Sequence, residues 1–221
     1  MTSSPRPHAP SSRPRKAPIS AGEALHRLRE GNDRFARNVR SVDTMLSQSA
    51  RNALVAAQSP IAIVLSCSDA RVPAELVFDQ GLGDLFVVRV AGNVIAPTLV
   101  GSVEYAVAAF GTALVVVMGH THCGAIAATL DWITARGPSP SEAIHEIVTR
   151  IRPAVEQARR PGLDRAAILA AATRANVRAS VRELSQSGSL VEMAARGDLV
   201  IVGAEYSLAT GAVDFFDQVP T

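Results

Sequence analysis

The sequence lacks the features that direct a chain into or across a membrane. None of its unbroken apolar stretches approaches the ~20 residues that a helix needs to span a bilayer. The first 20 residues contain Arg, Pro and Ser but no apolar core, so they do not have the form of a secretory signal. We therefore expect a cytoplasmic protein that makes no membrane contact.

Acidic residues are missing from the N-terminal segment, and the excess of positive charge is confined there. Four basic residues precede the first acidic one, Glu23. The chain has 22 Lys and Arg residues and 20 Asp and Glu residues, so without those four the rest of the chain has slightly more acidic than basic residues. A nucleic-acid-binding protein is expected to show the opposite excess. We expect residues 1–19, rich in Pro and Ser, to form a disordered tail. Residues 20–221 are long enough for a single domain with an apolar core.

Cysteine is scarce, since the chain has only Cys67 and Cys123. A structural disulfide is not expected in a reducing compartment. One interpretation is that both are buried, unreactive thiols, which is the usual role of a cytosolic cysteine. Their neighbours in sequence support a second interpretation, developed below.

Four short apolar runs indicate strands buried on both faces, because they are rich in β-branched residues and bounded by Gly, Pro or Asp. They are IAIVL (61–65), LFVVRV (85–90), ALVVVM (113–118) and LVIV (199–202). Helix-length segments fill the rest of the chain, at 20–38, 45–57, 98–110, 124–135, 139–159, 164–187 and after 189. Three of these begin with a capping box, at Ser20–Glu23, Ser139–Glu142 and Ser189–Glu192. The alternation predicts an α/β fold with a largely parallel central sheet, and ligands at the carboxyl ends of its strands.

Both cysteines lie where such a site is expected. Cys67 directly follows the first strand, in SCSDARVP, and Cys123 follows the third, in GHTHCGA. His120 precedes Cys123 by three residues, and two thiolates with one imidazole form a ligand set of catalytic zinc sites that leaves a fourth position open. A closed structural zinc site with Asp69 as the fourth ligand remains the alternative.

Several ordered motifs give the chain a resemblance to a known family. CSDARVPAE, GDLFVVRVAGN, SVEYAV, GHTHCGA and LVIVGAEYSLATGAVDFF follow one another with the spacing found in the β-class carbonic anhydrases. The chain resembles that family over roughly residues 20–217. The resemblance implies a zinc enzyme that forms dimers or tetramers, with N-terminal helices packed on the partner subunit.

The resemblance also implies roles for individual residues. Zinc would be held by Cys67, His120 and Cys123. Asp69 and Arg71 would form the catalytic pair, with Asp69 reaching the metal only in a closed state. Three further residues would line the carbon dioxide pocket, one of them supplied across a subunit interface: Phe86, Tyr105 and, from the partner, Gln58.

The implied reaction is the reversible hydration of carbon dioxide to bicarbonate and a proton, by attack of zinc-bound hydroxide. Arg71 would hold Asp69 away from the metal and so keep the zinc site open. Carbon disulfide or carbonyl sulfide hydrolysis on the same fold is an alternative, and so is a zinc-stabilised module that senses bicarbonate without catalysis. His122, beside the site, is either a proton shuttle or a surface side chain.

Overall fold

The computed structural model describes residues 19–39, 41, 51–52, 54–135 and 141–218. Its strands are β1 (Ala62–Ser66), β2 (Leu85–Arg89), β3 (Leu114–His120), β4 (Val200–Tyr206) and β5 (Val213–Gln218). Its helices are α1 (Ala21–Ala36), α2 (Ala74–Val77), α3 (Pro97–Phe110), α4 (Gly124–Ala135), α5 (Glu142–Ala158), α6 (Arg165–Ser185) and α7 (Leu190–Ala195). A single 3-10 turn (Ala91–Asn93) follows β2.

The strands form one sheet in the order β2-β1-β3-β4-β5. The first four are parallel, and β5 pairs antiparallel with β4. The predicted α/β fold with a largely parallel sheet is confirmed. β5 was not predicted, because its sequence VDFFDQ mixes charged residues with aromatic ones and lacks the apolar run that identified the other four.

Helices cover both faces of the sheet, which explains why β1 and β3 are buried along their whole length. Helices α1 and α2 pack on one face, and α3, α6 and α7 pack on the other. A third apolar group, formed mainly by α4 and α5, surrounds the two cysteines at one edge of the sheet. The apolar runs thus follow the two-sided burial expected of a parallel sheet.

Most predicted helix boundaries are confirmed. Ser20 caps α1, and its hydroxyl accepts a hydrogen bond from the Glu23 N–H at 3.2 Å. Asp164 caps α6 in the same way. Gly111 ends α3 in the left-handed conformation that glycine adopts readily.

Two of the three predicted capping boxes are wrong. Helix α5 is capped by Ser141, whose hydroxyl accepts from the Ile144 N–H, so the helix begins two residues after the Ser139 box predicts. Ser189 precedes α7 but makes no capping bond, because its hydroxyl instead donates to the Glu104 carboxylate at 2.7 Å. At Ser189, a hydrogen bond to a residue distant in sequence has therefore replaced the capping bond.

Parts of two predictions lie outside the described residues. They are the disordered tail up to residue 18 and most of the helix predicted at 45–57. Ile19, assigned to the tail by the sequence, packs against the core group under α1. No helix in the described ranges combines the length and apolar character that a bilayer crossing requires.

Asn32 on α1 provides a test of how this helix is attached to the sheet. Its amide donates to the carbonyls of Val77 and Gly211, and its carbonyl accepts from the Val213 N–H at 2.7 Å. Asn32→Ala leaves these groups without their partner, so we expect the free energy of unfolding to fall by ~3 kcal/mol. Urea denaturation followed by circular dichroism measures this change.

The control is Asp33→Ala on the same helix, which removes an exposed ion pair with Arg37. It should change the unfolding free energy by no more than ~0.5 kcal/mol. Equal unfolding curves for the two variants would contradict the attachment.

Candidate metal centre

The pairing of two strands brings the metal-binding residues together. β1 and β3 are adjacent and parallel, with Ser66 opposite Met118. Cys67 follows the last residue of β1, and His120 is the last residue of β3. The chain then turns through two residues to Cys123, directly before α4. The three side chains therefore meet at the carboxyl edge of the sheet, where the sequence predicted a site.

The ligand atoms of Cys67, His120 and Cys123 all lie within 4.8 Å of one another, and all three residues are buried. The two sulfurs belong to the apolar group formed with α4 and α5. Two sulfurs and one imidazole nitrogen are the donor set that zinc accepts in catalytic sites.

The orientation of His120 supports metal binding. Its Nδ1 lies 2.9 Å from the Thr121 carbonyl oxygen, which can only accept, so Nδ1 carries the proton. Nε2 is left with its lone pair, and this buried atom has no hydrogen-bond partner. An unpartnered buried nitrogen is costly in a folded protein. A metal ion at this position would remove that cost.

The two thiols have opposite pKa shifts. A hydrogen bond from Cys123 lowers the pKa of Cys67 to about 4, against the opposing effect of burial. The pKa of Cys123 is raised, because it donates that bond and is itself buried. The N–H groups of Ala125 and Ile126, at the start of α4, partly offset this rise. Hydrogen bonding within the pair therefore favours the thiolate form of Cys67, and the donor set fits zinc.

Asp69 and Arg71 form a two-pronged ion pair at the edge of this cluster. Arg71 Nε donates to Asp69 Oδ1 at 2.9 Å, and Nη2 donates to Oδ2 at 2.7 Å. The Arg71 guanidinium holds the pKa of the Asp69 carboxyl well below its usual range. Asp69 Oδ2 is 3.9 Å from His120 Nε2, so the carboxylate lies beside the cluster while both of its oxygens are bound to Arg71.

Arg89 holds the backbone of the same loop, a role that sequence reasoning missed. Its Nε donates to the Cys67 carbonyl at 3.1 Å, and its Nη2 donates to the Asp69 carbonyl at 2.6 Å. No local signal in the sequence indicates this role: Arg89 ends β2, and the pairing of β2 with β1 places it opposite Ser66. An arginine at that register reaches the loop that begins at Cys67.

The predicted pocket residues are partly brought together. The rings of Phe86 on β2 and Tyr105 on α3 have centroids 6.3 Å apart. Phe110, which sequence reasoning missed, completes the aromatic group at 6.0 Å from Phe86 and 5.9 Å from Tyr105. Tyr105 is 60% exposed, and Gln58, in the segment that leads into β1, is also exposed.

His122 lies in the turn between two of the ligands. Its backbone is in the left-handed region, with φ 56°, and its side chain is exposed. Its carbonyl accepts a long bond of 3.4 Å from Arg71 Nη2. In this structure His122 therefore contacts the ion pair through its backbone.

Comparison with known proteins gives one consistent result. A family model described as carbonic anhydrase matches residues 62–213. Carbonic anhydrase 2 of Mycobacterium tuberculosis is 40% identical over 207 residues, covering 93% of this chain and 96% of that protein. The carbonic anhydrase of Mycolicibacterium smegmatis is 40% identical over 202 residues, covering 91% of this chain and 94% of its own.

Solved structures agree with the sequence relatives. The β-carbonic anhydrase CcaA superposes with a TM-score of 0.70 at 26% identity, covering 89% of both chains. A tetrameric β-carbonic anhydrase of Sordaria macrospora has the same TM-score of 0.70 at 20% identity, covering 90% of this chain and all of that one, and shows the fold alone.

The ligand set predicts the zinc content of variants. The protein should bind about one zinc ion per chain, and His120→Ala should lose most of it, because a tetrahedral site needs three protein ligands here. His122→Ala is the matched control and should keep its zinc, since its side chain is exposed. Mass spectrometric metal analysis after dialysis measures both. Full zinc in His120→Ala would contradict the ligand assignment.

Proposed function

The chain belongs to the β-class carbonic anhydrase family, and from this premise we propose that it catalyses the reversible hydration of carbon dioxide to bicarbonate and a proton. The supporting observation is the close cluster of Cys67, His120 and Cys123, with an Asp–Arg ion pair at its edge. These three residues would hold zinc. In the most favourable protein sites, zinc lowers the pKa of a coordinated water toward ~7, so that hydroxide is available as a nucleophile near neutral pH.

Asp69 and Arg71 are proposed as the catalytic pair. Arg71 binds both carboxylate oxygens of Asp69 and so restrains the carboxylate beside the cluster, where it would otherwise be able to act as a fourth metal ligand. Oδ1 also accepts from the Arg71 backbone N–H at 2.9 Å, so Oδ2 is the oxygen that keeps a second lone pair with which to accept a hydrogen bond from a water molecule beside the cluster. Asp69 would orient that water, and Arg71 would keep the position next to the three ligands available to it.

The aromatic group is proposed as the wall of the carbon dioxide pocket. Phe86 and Tyr105 present apolar ring surface, which suits a small molecule without net charge or dipole. Their contact with Phe110 keeps the rings together. Such a pocket does not exclude carbon disulfide or carbonyl sulfide by size alone, so these substrates belong in the test.

We further propose that the site is completed by a second copy of the chain, in a dimer or a multiple of dimers. Tyr105 is a large aromatic side chain with 60% of its surface exposed, and Gln58 is exposed as well. Aromatic side chains with this exposure are typical of interfaces. Gln58 of one subunit would then reach the pocket of the other.

A cytoplasmic location suits the site. Cys67 and Cys123 are free thiols that lie close together, and a disulfide between them would remove two of the three ligands. A reducing compartment prevents this oxidation.

Stopped-flow measurement of carbon dioxide hydration by zinc-loaded protein tests the function. The wild type should accelerate hydration, whereas Arg71→Ala should lose ~10- to 100-fold in kcat/KM while keeping its zinc, because Asp69 is then free to enter the coordination site. Loss of zinc together with activity would assign Arg71 a structural role. Hydrolysis of carbonyl sulfide without carbon dioxide hydration would overturn the proposed reaction.

The matched control for this experiment is Arg196→Ala. Arg196 forms an exposed pair with Asp198, two residues away, as Arg71 does with Asp69. Removing it should leave hydration unchanged, because the pair is solvated and distant in sequence from the metal-binding residues.

Mixing two inactive variants tests the supply of Gln58 by the partner. In a dimer of one Gln58→Ala chain and one Arg71→Ala chain, one of the two sites has both residues intact if Gln58 acts across the interface. Random reassociation of such dimers should then restore about a quarter of the wild-type activity. No recovery, with mixed dimers confirmed by native mass spectrometry, would place Gln58 in its own subunit's site.

A further inference from the structure

Helix α6 presents two buried polar side chains to the turn beside the metal centre. Asn176 and Ser180 are 2% and 4% exposed and lie one helical turn apart. Asn176 Nδ2 donates to the Gly92 carbonyl at 2.8 Å, and Ser180 Oγ donates to the Asn93 carbonyl at 2.9 Å. Buried polar groups of this kind are kept only where they have hydrogen-bond partners, and here both partners are on one short turn.

That turn has an uncommon backbone. Gly92 and Asn93 follow one another in the left-handed region, with φ 69° and 44°. An added Cβ at Gly92 would lie 2.6 Å from Ile151 Cδ1, so the Ile151 side chain would have to move to accept one. A left-handed residue other than glycine persists only where the surroundings hold it. The two bonds from α6 hold this turn.

The consequence reaches the metal ligand. The Gly92 N–H points at Cys67 Sγ, at 3.3 Å, and helps to lower the pKa of that thiol. The Asp69 N–H also bonds to this sulfur, but it belongs to the ligand's own loop. Gly92 follows β2, which lies on the opposite side of β1 from β3, and its turn is bonded to α6.

We propose that Asn176 and Ser180 are positioning residues for Cys67, which fix the N–H···S bond from Gly92 and thereby set how much charge the thiolate donates to the metal. An N–H bond withdraws electron density from a coordinated sulfur. A metal bound by such a sulfur would be a stronger Lewis acid than one bound by two thiolates that accept no N–H hydrogen bond. This inference rests on the metal site of the proposed function, but it concerns the ligand and not the reaction.

The test uses Asn176→Ala and Ser180→Ala, with Thr173→Val as the matched control. Thr173 is buried on the same helix, but its hydroxyl bonds to the Leu169 carbonyl of that helix, so it does not hold the turn. Each variant is purified, stripped of metal and reloaded with Co²⁺ or Zn²⁺. The readouts are the sulfur-to-cobalt charge-transfer band and the Zn²⁺ dissociation constant from competition with a chelating dye.

We expect the charge-transfer band to move to longer wavelength in both Ala variants, because the sulfur is more electron-rich without its N–H bond. The Zn²⁺ dissociation constant should rise ~10-fold or more, because Cys67 is then held less firmly in the position that the metal requires. Thr173→Val should match the wild type in both. Ser180→Ala removes only one oxygen, so it decides the question if Asn176→Ala does not fold.

The inference is overturned if Ser180→Ala lowers thermal stability but leaves the band and the Zn²⁺ affinity at wild-type values. It is also overturned if Thr173→Val shifts them equally. A wild-type protein that binds both metals with these properties but does not hydrate carbon dioxide would refute the proposed function and leave this inference standing.

Discussion

The pairing of β1 with β3 is the constraint on which the metal centre depends. Cys67 is separated from His120 and Cys123 by more than fifty residues of chain, and only the parallel register of these two strands brings them to within 4.8 Å. Both strands are buried along their whole length with helices on both faces, so a shift of register would disrupt the close packing of their side chains on each face. The packing of the core therefore fixes the geometry of the site.

Around the three candidate ligands, the protein uses hydrogen bonds from several segments to control charge. Arg71 neutralises Asp69 from outside, and Arg89 holds the carbonyls of the loop that contains both Cys67 and Asp69. The first turn of α4 contacts Cys123, and the turn after β2 contacts Cys67. Each sulfur thus receives backbone N–H groups, which favour the thiolate forms that a metal requires.

Two of the errors in the sequence-based predictions share a physical cause. Ser189 has the local pattern of a capping residue, but the Glu104 carboxylate, 85 residues away, takes its hydroxyl. β5 contains Asp214, a charged residue that does not fit the apolar pattern of a buried strand. Its carboxylate pairs with Arg174 of α6, which is distant in sequence, so no local pattern predicts this strand. Local signals predicted correctly where the partners were close in sequence, as for Ser20 and Gly111, and failed where a distant group competed.

The sequence alone determined the fold class and four of the five strands, and it identified the candidate metal ligands that the structure brings together, because apolar periodicity and the ligand motifs are local features. It also placed Asp69 and Arg71 together, since they are two residues apart. Only the tertiary structure decided that Asp69 is bound by Arg71 and lies beside the ligand cluster, that His120 presents a free Nε2, and that Arg89 and the 91–93 turn support Cys67. These depend on distances between segments far apart in the chain, and the packing of the sheet and helices sets those distances.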